Sequence, residues 1–184
     1  MSALGQKRTS QDAGLASLSS TPRKENHKMV AAYCGAVHIT AGSDRFGEPL
    51  VFRGDHLCCK VSAADTNGAL CVYDTVRTRQ SGPPLHYHHD QDEWFFVREG
   101  EFLFQVGDER LLLAAGDSVL APRKIPHAFL NLRMPGILTI AYAPAGTIEQ
   151  FFQEGSKLIN ATADDWQILH RAHGQEMIGP PLSP

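Results

Sequence analysis

The 184-residue sequence carries no strong charge of either sign, no long apolar run and no C-x-x-C pair. Lysine and arginine number 17 against 20 aspartates and glutamates, a formal charge of −3. That balance offers no basic field, so no nucleic-acid partner is expected. No apolar stretch approaches the roughly 20 residues of a membrane helix, so no membrane partner is expected either. The four cysteines, Cys34, Cys58, Cys59 and Cys71, lack the spacing of a zinc ribbon or a thioredoxin-like site. Cys58 and Cys59 are adjacent and cannot readily bridge each other. The N-terminal segment also lacks the apolar core, about 7–15 residues long, of a secretory signal. A reduced, cytoplasmic chain is the simplest expectation.

What is present falls into three parts. Residues 1–35 are rich in Ser, Thr, Lys and Arg with few large apolar groups. Such a composition does not repay its ordering entropy, and a disordered or flexible tail is expected; Met29, where apolar character rises, is an alternative start. Residues 36–148 are cut into short apolar runs by Gly, Pro, Asn and Asp: LVFRGDHLCCKVSA, ALCVYDTVRT, EWFFVREG, EFLFQVGDERLLLA, DSVLAP, HAFLNLR and GILTIAYAP. Turn formers sit between them, including Arg98-Glu99-Gly100 and Met134-Pro135-Gly136. This rhythm, without intervening helical periods, predicts an all-β sandwich or barrel. Residues 149–184 change character. IEQFFQEGSKL and ADDWQILHRAHGQEM have helical spacing, with Thr162 or Asp164 as an N-cap and Gly174 just past the end. One or two short helices with a structural role are expected there, followed by a tail.

The nine histidines are the oddity of the composition. His86 and His88 are two apart, so on a strand they point to one face. Glu93 opens the next run and shares a face with Phe95 and Val97, while Trp94, Phe96 and Arg98 take the other. A tight connection through His89–Asp92 would bring two imidazoles and a carboxylate together, a set suited to Fe, Mn, Ni, Cu or Zn. His127, Phe129 and Asn131 form a further strand face that can approach the same point. The competing reading is a metal-free polar core. Asp92 is an alternative carboxylate, although it lies on the opposite face. His89 alternates outward, and His27, His38, His56, His170 and His173 show no partner pattern, which makes them structural or surface residues.

These two stretches resemble the paired motifs of the cupin superfamily. His86, His88, Glu93 and Gly100 match the first, with four residues between His88 and Glu93; Gly116, Pro122, His127 and Asn131 match the second. Only 15 residues separate Gly100 from Gly116, a short gap between motifs. Two positions depart: Gly82 lies closer to His86 than the motif has it, and Lys124 stands where the second motif usually has glycine. The resemblance covers roughly residues 45–150 and is nearest to small single-domain cupins similar to quercetin dioxygenase. It implies a double-stranded β-helix (jelly-roll) barrel holding one divalent metal ion through His86, His88, Glu93 and His127, with Glu93 also a base. It further implies a small-molecule substrate and a homodimer.

A cavity beside such a metal would be lined by apolar and aromatic side chains, for which Tyr73, Tyr87, Phe95, Phe104, Phe129 and Tyr142 are candidates, ordinary core packing being the alternative for each. The leading expectation is a metal-dependent dioxygenase acting on an aromatic or enolic small molecule. A metal-dependent isomerase or epimerase of a small polar compound is the second, with Arg123 and Lys124 either holding an anionic group or forming a solvated turn. A non-catalytic small-molecule-binding barrel is the third.

Overall fold

The computed structural model describes residues 35–184. Apart from its last residue, the expected N-terminal tail lies outside the described residues, as do His27, Met29 and Cys34. The apolar runs form eight strands: β1 (Leu50–Phe52), β2 (Asp55–Val61), β3 (Cys71–Arg77), β4 (Pro84–His88), β5 (Asp92–Val106), β6 (Glu109–Ala114), β7 (Ser118–Ala121) and β8 (His127–Ala143). All pairings are antiparallel. β1, β2, β3, β8 and β4 are neighbours in that order, and β5 pairs with β6, β7 and β8. The result is the double-stranded β-helix barrel anticipated from the sequence.

β5 and β8 are the long staves, and each contains a segment that reads in the sequence as a turn. Both strands run through it because they are paired twice: Asp92–Val97 lie opposite Ala143–Leu138, and Glu101–Val106 lie opposite Arg133–His127. Between these halves the register shifts at Val97/Glu99, Glu99/Glu101 and Glu101/Phe102. A bulge changes which residues face inward. The buried set accordingly switches from Phe95 and Val97 to Phe102 and Phe104 on β5, and from Phe129 and Asn131 to Leu138, Ile140 and Tyr142 on β8. Gly100 takes φ +90°, and a Cβ there would press on the β8 backbone at Arg133 and Gly136, so the bend needs glycine.

The core is aromatic. Phe95, Phe102, Phe104 and Phe129 pack with ring centroids 5.0–6.3 Å apart. Each such side chain buried contributes about 1.5–3 kcal/mol before the entropy of ordering it is set against it.

The C-terminal segment has more structure than expected. α1 (Ile148–Gly155) turns Phe151 and Phe152 onto Phe52, with Phe152 also against Tyr73 and Tyr142. α2 (Ala163–Ala172) begins at Thr162, whose side chain and that of Asp165 cap each other's backbone N–H groups. The chain then forms a ninth strand, β9 (Gln175–Pro181), paired with β4. β9 ends the sheet order, an edge position that tolerates Pro180 and Pro181. The expected tail is therefore partly a strand of the barrel, laid against the strand that carries His86 and His88. No helix among the described residues is long and apolar enough to cross a membrane.

Candidate metal centre

Alternation along β4 buries Pro84, His86 and His88 and turns Leu85 and Tyr87 to the other face. β5 buries Glu93 beside Phe95 and Val97. His127 opens β8 directly opposite His86. The loop before His127 is fixed at both ends of the β4–β5 connection: the Lys124 N–H donates to the His88 carbonyl at 2.7 Å, and the Arg123 N–H donates to Asp92 Oδ1 at 2.8 Å. Lys124 adopts φ +67°, the left-handed conformation in which glycine is free of strain. That accounts for the glycine that the resembled motif has at this place.

The four side chains are buried, and one ligand atom from each lies within 4.8 Å of all the others. Imidazole centroids are 5.3 Å apart for His86–His88, 4.6 Å for His86–His127 and 5.5 Å for His88–His127. Glu93 Oε2 is 2.9 Å from His127 Nε2 and 3.2 Å from His88 Nε2. The second contact lacks hydrogen-bond geometry, so His88 Nε2 is a buried nitrogen without a hydrogen-bond partner.

The three rings are held in one tautomer. His86 Nδ1 lies 2.9 Å from the Pro84 carbonyl, His127 Nδ1 3.0 Å from the Ile125 carbonyl, and His88 Nδ1 2.7 Å from Gln91 Oε1. Those carbonyls only accept, so each Nδ1 carries the proton and each Nε2 presents a lone pair when the ring is neutral. Gln91 cannot be reversed at no cost, because its Nε2 donates to the Pro144 and Ala145 carbonyls at 2.8 Å. Three preset imidazole nitrogens and one carboxylate, aimed at a common point, fit a single divalent ion with bonds of about 2.0–2.2 Å.

The electrostatics agree with that geometry. Burial pushes the Glu93 carboxyl up, but the hydrogen bond from His127 and the close approach of His88 outweigh it and hold the group well below the usual carboxylate range. For His127, burial alone would lower the pKa, yet the Glu93 carboxylate raises it. His86 is pushed well below its ordinary value by burial and by the other two histidines. Burial and the adjacent Glu93 keep the Tyr142 phenol neutral.

A cavity of about 210 Å³ opens onto His86, His88 and Glu93. Its apolar wall includes Phe52, Phe129, Tyr142, Ile148, Phe151 and Phe152. Of the aromatic candidates, Phe129 and Tyr142 line it; Tyr73, Phe95 and Phe104 pack in the core; Tyr87 points away against His89, which is exposed. Asp92 is not an alternative ligand, since it faces outward and binds Arg123 at 2.7 Å. That ion pair also occupies the guanidinium expected to hold an anion, and Lys124 is an exposed turn residue. Sequence reasoning missed the contribution of the C-terminal segment: His170, grouped with the unpartnered histidines, is buried with its ring 5.7 Å from His86 and lines the cavity beside Gln175. It also missed Gln91, for which spacing three residues after His88 is the only local signal.

Residues 73–134 match the cupin domain family, an interval that contains all four buried side chains. An uncharacterised protein of Methanocaldococcus jannaschii is 32% identical over 62 residues, which are 33% of this chain and 50% of that protein. The match thus spans half the length of that relative. Among solved structures, an RmlC-like cupin from Shewanella frigidimarina is 22% identical with a TM-score of 0.47, covering 60% of this chain and 93% of that one. A predicted oxalate decarboxylase from Thermotoga maritima is 16% identical with a TM-score of 0.46, covering 50% and 80%.

Proposed function

This chain carries a cupin domain, and on that premise we propose that it is a metal-dependent dioxygenase of an aromatic or enolic small molecule, with one divalent ion held by His86, His88, Glu93 and His127. The observation that carries the reading is the position of the cavity: three of the four ligating side chains face one aromatic-walled space. A closed structural site would have no such opening. When bound, the ion would supply Lewis acidity towards an enol or phenol oxygen, while the electrons that reduce dioxygen would come from the substrate itself.

The protein's own part is binding and proton handling. Phe129 and Phe152 offer apolar ring surface for a flat substrate. Both histidine contacts of Glu93 fall on Oε2, and we assign Oε1 to the hydroxyl proton of the substrate. Glu93 is thereby ligand and base together. A homodimer is part of the proposal, with the substrate a small molecule and neither nucleic acid nor membrane as partner.

Oxygen uptake by protein loaded separately with Fe, Mn, Ni, Cu and Zn, using flavonols, β-diketones and related enols, tests the activity. Consumption of oxygen that is lost in Glu93→Gln supports it. No uptake with any metal removes it, and turnover in the absence of oxygen replaces it with an isomerase or epimerase.

A further inference from the structure

Three arginines line the same cavity as the candidate metal ligands: Arg53 between β1 and β2, Arg77 at the end of β3, and Arg79 just beyond it. Arg77 is deeply placed. Its Nη1 donates to Asp55 Oδ2 at 2.7 Å, its guanidinium lies 4.8 Å over the Phe129 ring, and its buried Nε–H has no hydrogen-bond partner. Arg79 donates to the Arg53 carbonyl and lies across Gly54, where a Cβ would run into the guanidinium. Arg53 is held 4.6 Å over the Trp166 ring. All three groups are therefore positioned by the protein, Arg53 and Arg79 at the exposed rim and Arg77 inside.

Their charge is balanced by the protein only at Arg77. Asp55 pairs with Arg77, and among the described residues no carboxylate forms an ion pair with Arg53 or Arg79. Each rim guanidinium thus adds repulsion to its neighbours, and burial together with Arg79 already lowers the proton affinity of Arg53. Ser81 Oγ and Gln175 Nε2, also in the lining, are buried without partners in the protein. A gathering of positive charge and unpaired donors along one cavity is stabilised by an incoming oxyanion, which the guanidinium fork matches in shape. The surrounding phenylalanines and a volume of about 210 Å³ suit a single ring.

We propose that this part of the cavity is an oxyanion subsite, in which Arg53, Arg77 and Arg79 bind the carboxylate or phosphate of a small aromatic molecule whose remaining oxygens reach towards His86, His88 and Glu93. The orientation towards the metal centre rests on the proposed function; the subsite itself does not need the metal.

The test is calorimetric titration of the full chain, stripped of metal by chelator, with benzoate, phenyl phosphate and the neutral benzamide. The wild type is compared with the Arg53→Gln/Arg79→Gln double variant, whose changes lie at exposed positions and whose melting temperature verifies folding. At least one anion is expected to bind, about tenfold or more tightly than benzamide, and to lose about tenfold or more in the double variant. The tighter of the two anions identifies the group as carboxylate or phosphate. Binding of neither anion, equal binding of benzamide, or undiminished binding in the double variant overturns the inference and leaves the arginines as structural and rim residues. The two readings fail separately. Anion binding without oxygen uptake after metal loading removes the dioxygenase and keeps the subsite. Oxygen uptake with neutral enols and no anion binding does the reverse.

Discussion

His127 Nε2 stands 2.9 Å from Glu93 Oε2, and because Nδ1 of the same ring is already committed to the Ile125 carbonyl, a hydrogen bond between them needs a second proton on the ring, whereas a shared ion needs none. That spacing is also what two neighbouring ligands of one ion leave between them when each bond is about 2.0–2.2 Å. Metal and proton therefore compete for the centre.

The first prediction follows from that competition. Glu93 raises the His127 pKa above its ordinary value, so the proton that metal must displace is held more tightly as pH falls. Affinity should decline as pH drops through the raised His127 pKa and below, and binding near neutral pH should release protons. Calorimetry in buffers of different ionisation enthalpy measures the release directly. Affinity independent of pH between 8 and 5 would contradict it.

Gln91 should matter without touching the ion. It fixes the tautomer of His88 through the 2.7 Å contact with Nδ1. Gln91→Ala is expected to weaken metal binding by about 10–100-fold, as loss of a partner behind a ligand generally does. Affinity equal to the wild type in a folded Gln91→Ala protein would mean that packing alone orients His88.

Much of this centre can be read from residues close together in sequence. The alternation of His86 and His88, the face of Glu93 and the Pro-flanked His127 need only a strand period, and the structure brings these residues together. Long-range pairing is less visible. Gly100 and Pro135-Gly136 carry turn chemistry, yet they lie within β5 and β8 because each strand pairs on both sides of the bend. β9 is a short edge strand ending in prolines, and only its pairing with β4 reveals it. His170 enters the cavity from a helix far from the other histidines in sequence, and Arg77 and Arg79, although only nine and seven residues before His86, enter from the end of the preceding strand and just beyond it, so no strand period announces them.

Acid should destabilise the metal-free protein through His170. Burial holds its imidazole down to about 4, whereas an unfolded histidine titrates near about 6.5. Between those values the unfolded chain binds a proton that the folded one refuses, so stability falls as pH drops through this window. The loss is on the order of 3 kcal/mol at its lower end. Urea unfolding of chelated protein across the window should show a slope reduced by about one proton in His170→Leu. An identical slope in the variant would place the effect elsewhere, with His86 the first candidate.

Lys124 sits at φ +67°. Lys124→Gly should relieve the strain of a left-handed non-glycine residue, about 1 kcal/mol, offset in part by the greater freedom of glycine in the unfolded chain. A small rise in melting temperature is expected, with metal content unchanged. A fall would show that the Lys124 side chain contributes more than the strain costs.

The central claim is that His86, His88, Glu93 and His127 hold a metal ion. Elemental analysis by ICP-MS, on protein purified without a His-tag or chelator, addresses it most directly when the His86→Ala/His88→Ala double variant and His89→Ala are measured alongside. About one equivalent of Fe, Mn, Ni, Cu or Zn in the wild type and in His89→Ala, lost in the double variant, is the predicted result. Absence of metal from the wild type even after reconstitution, or equal loss in His89→Ala, would contradict it.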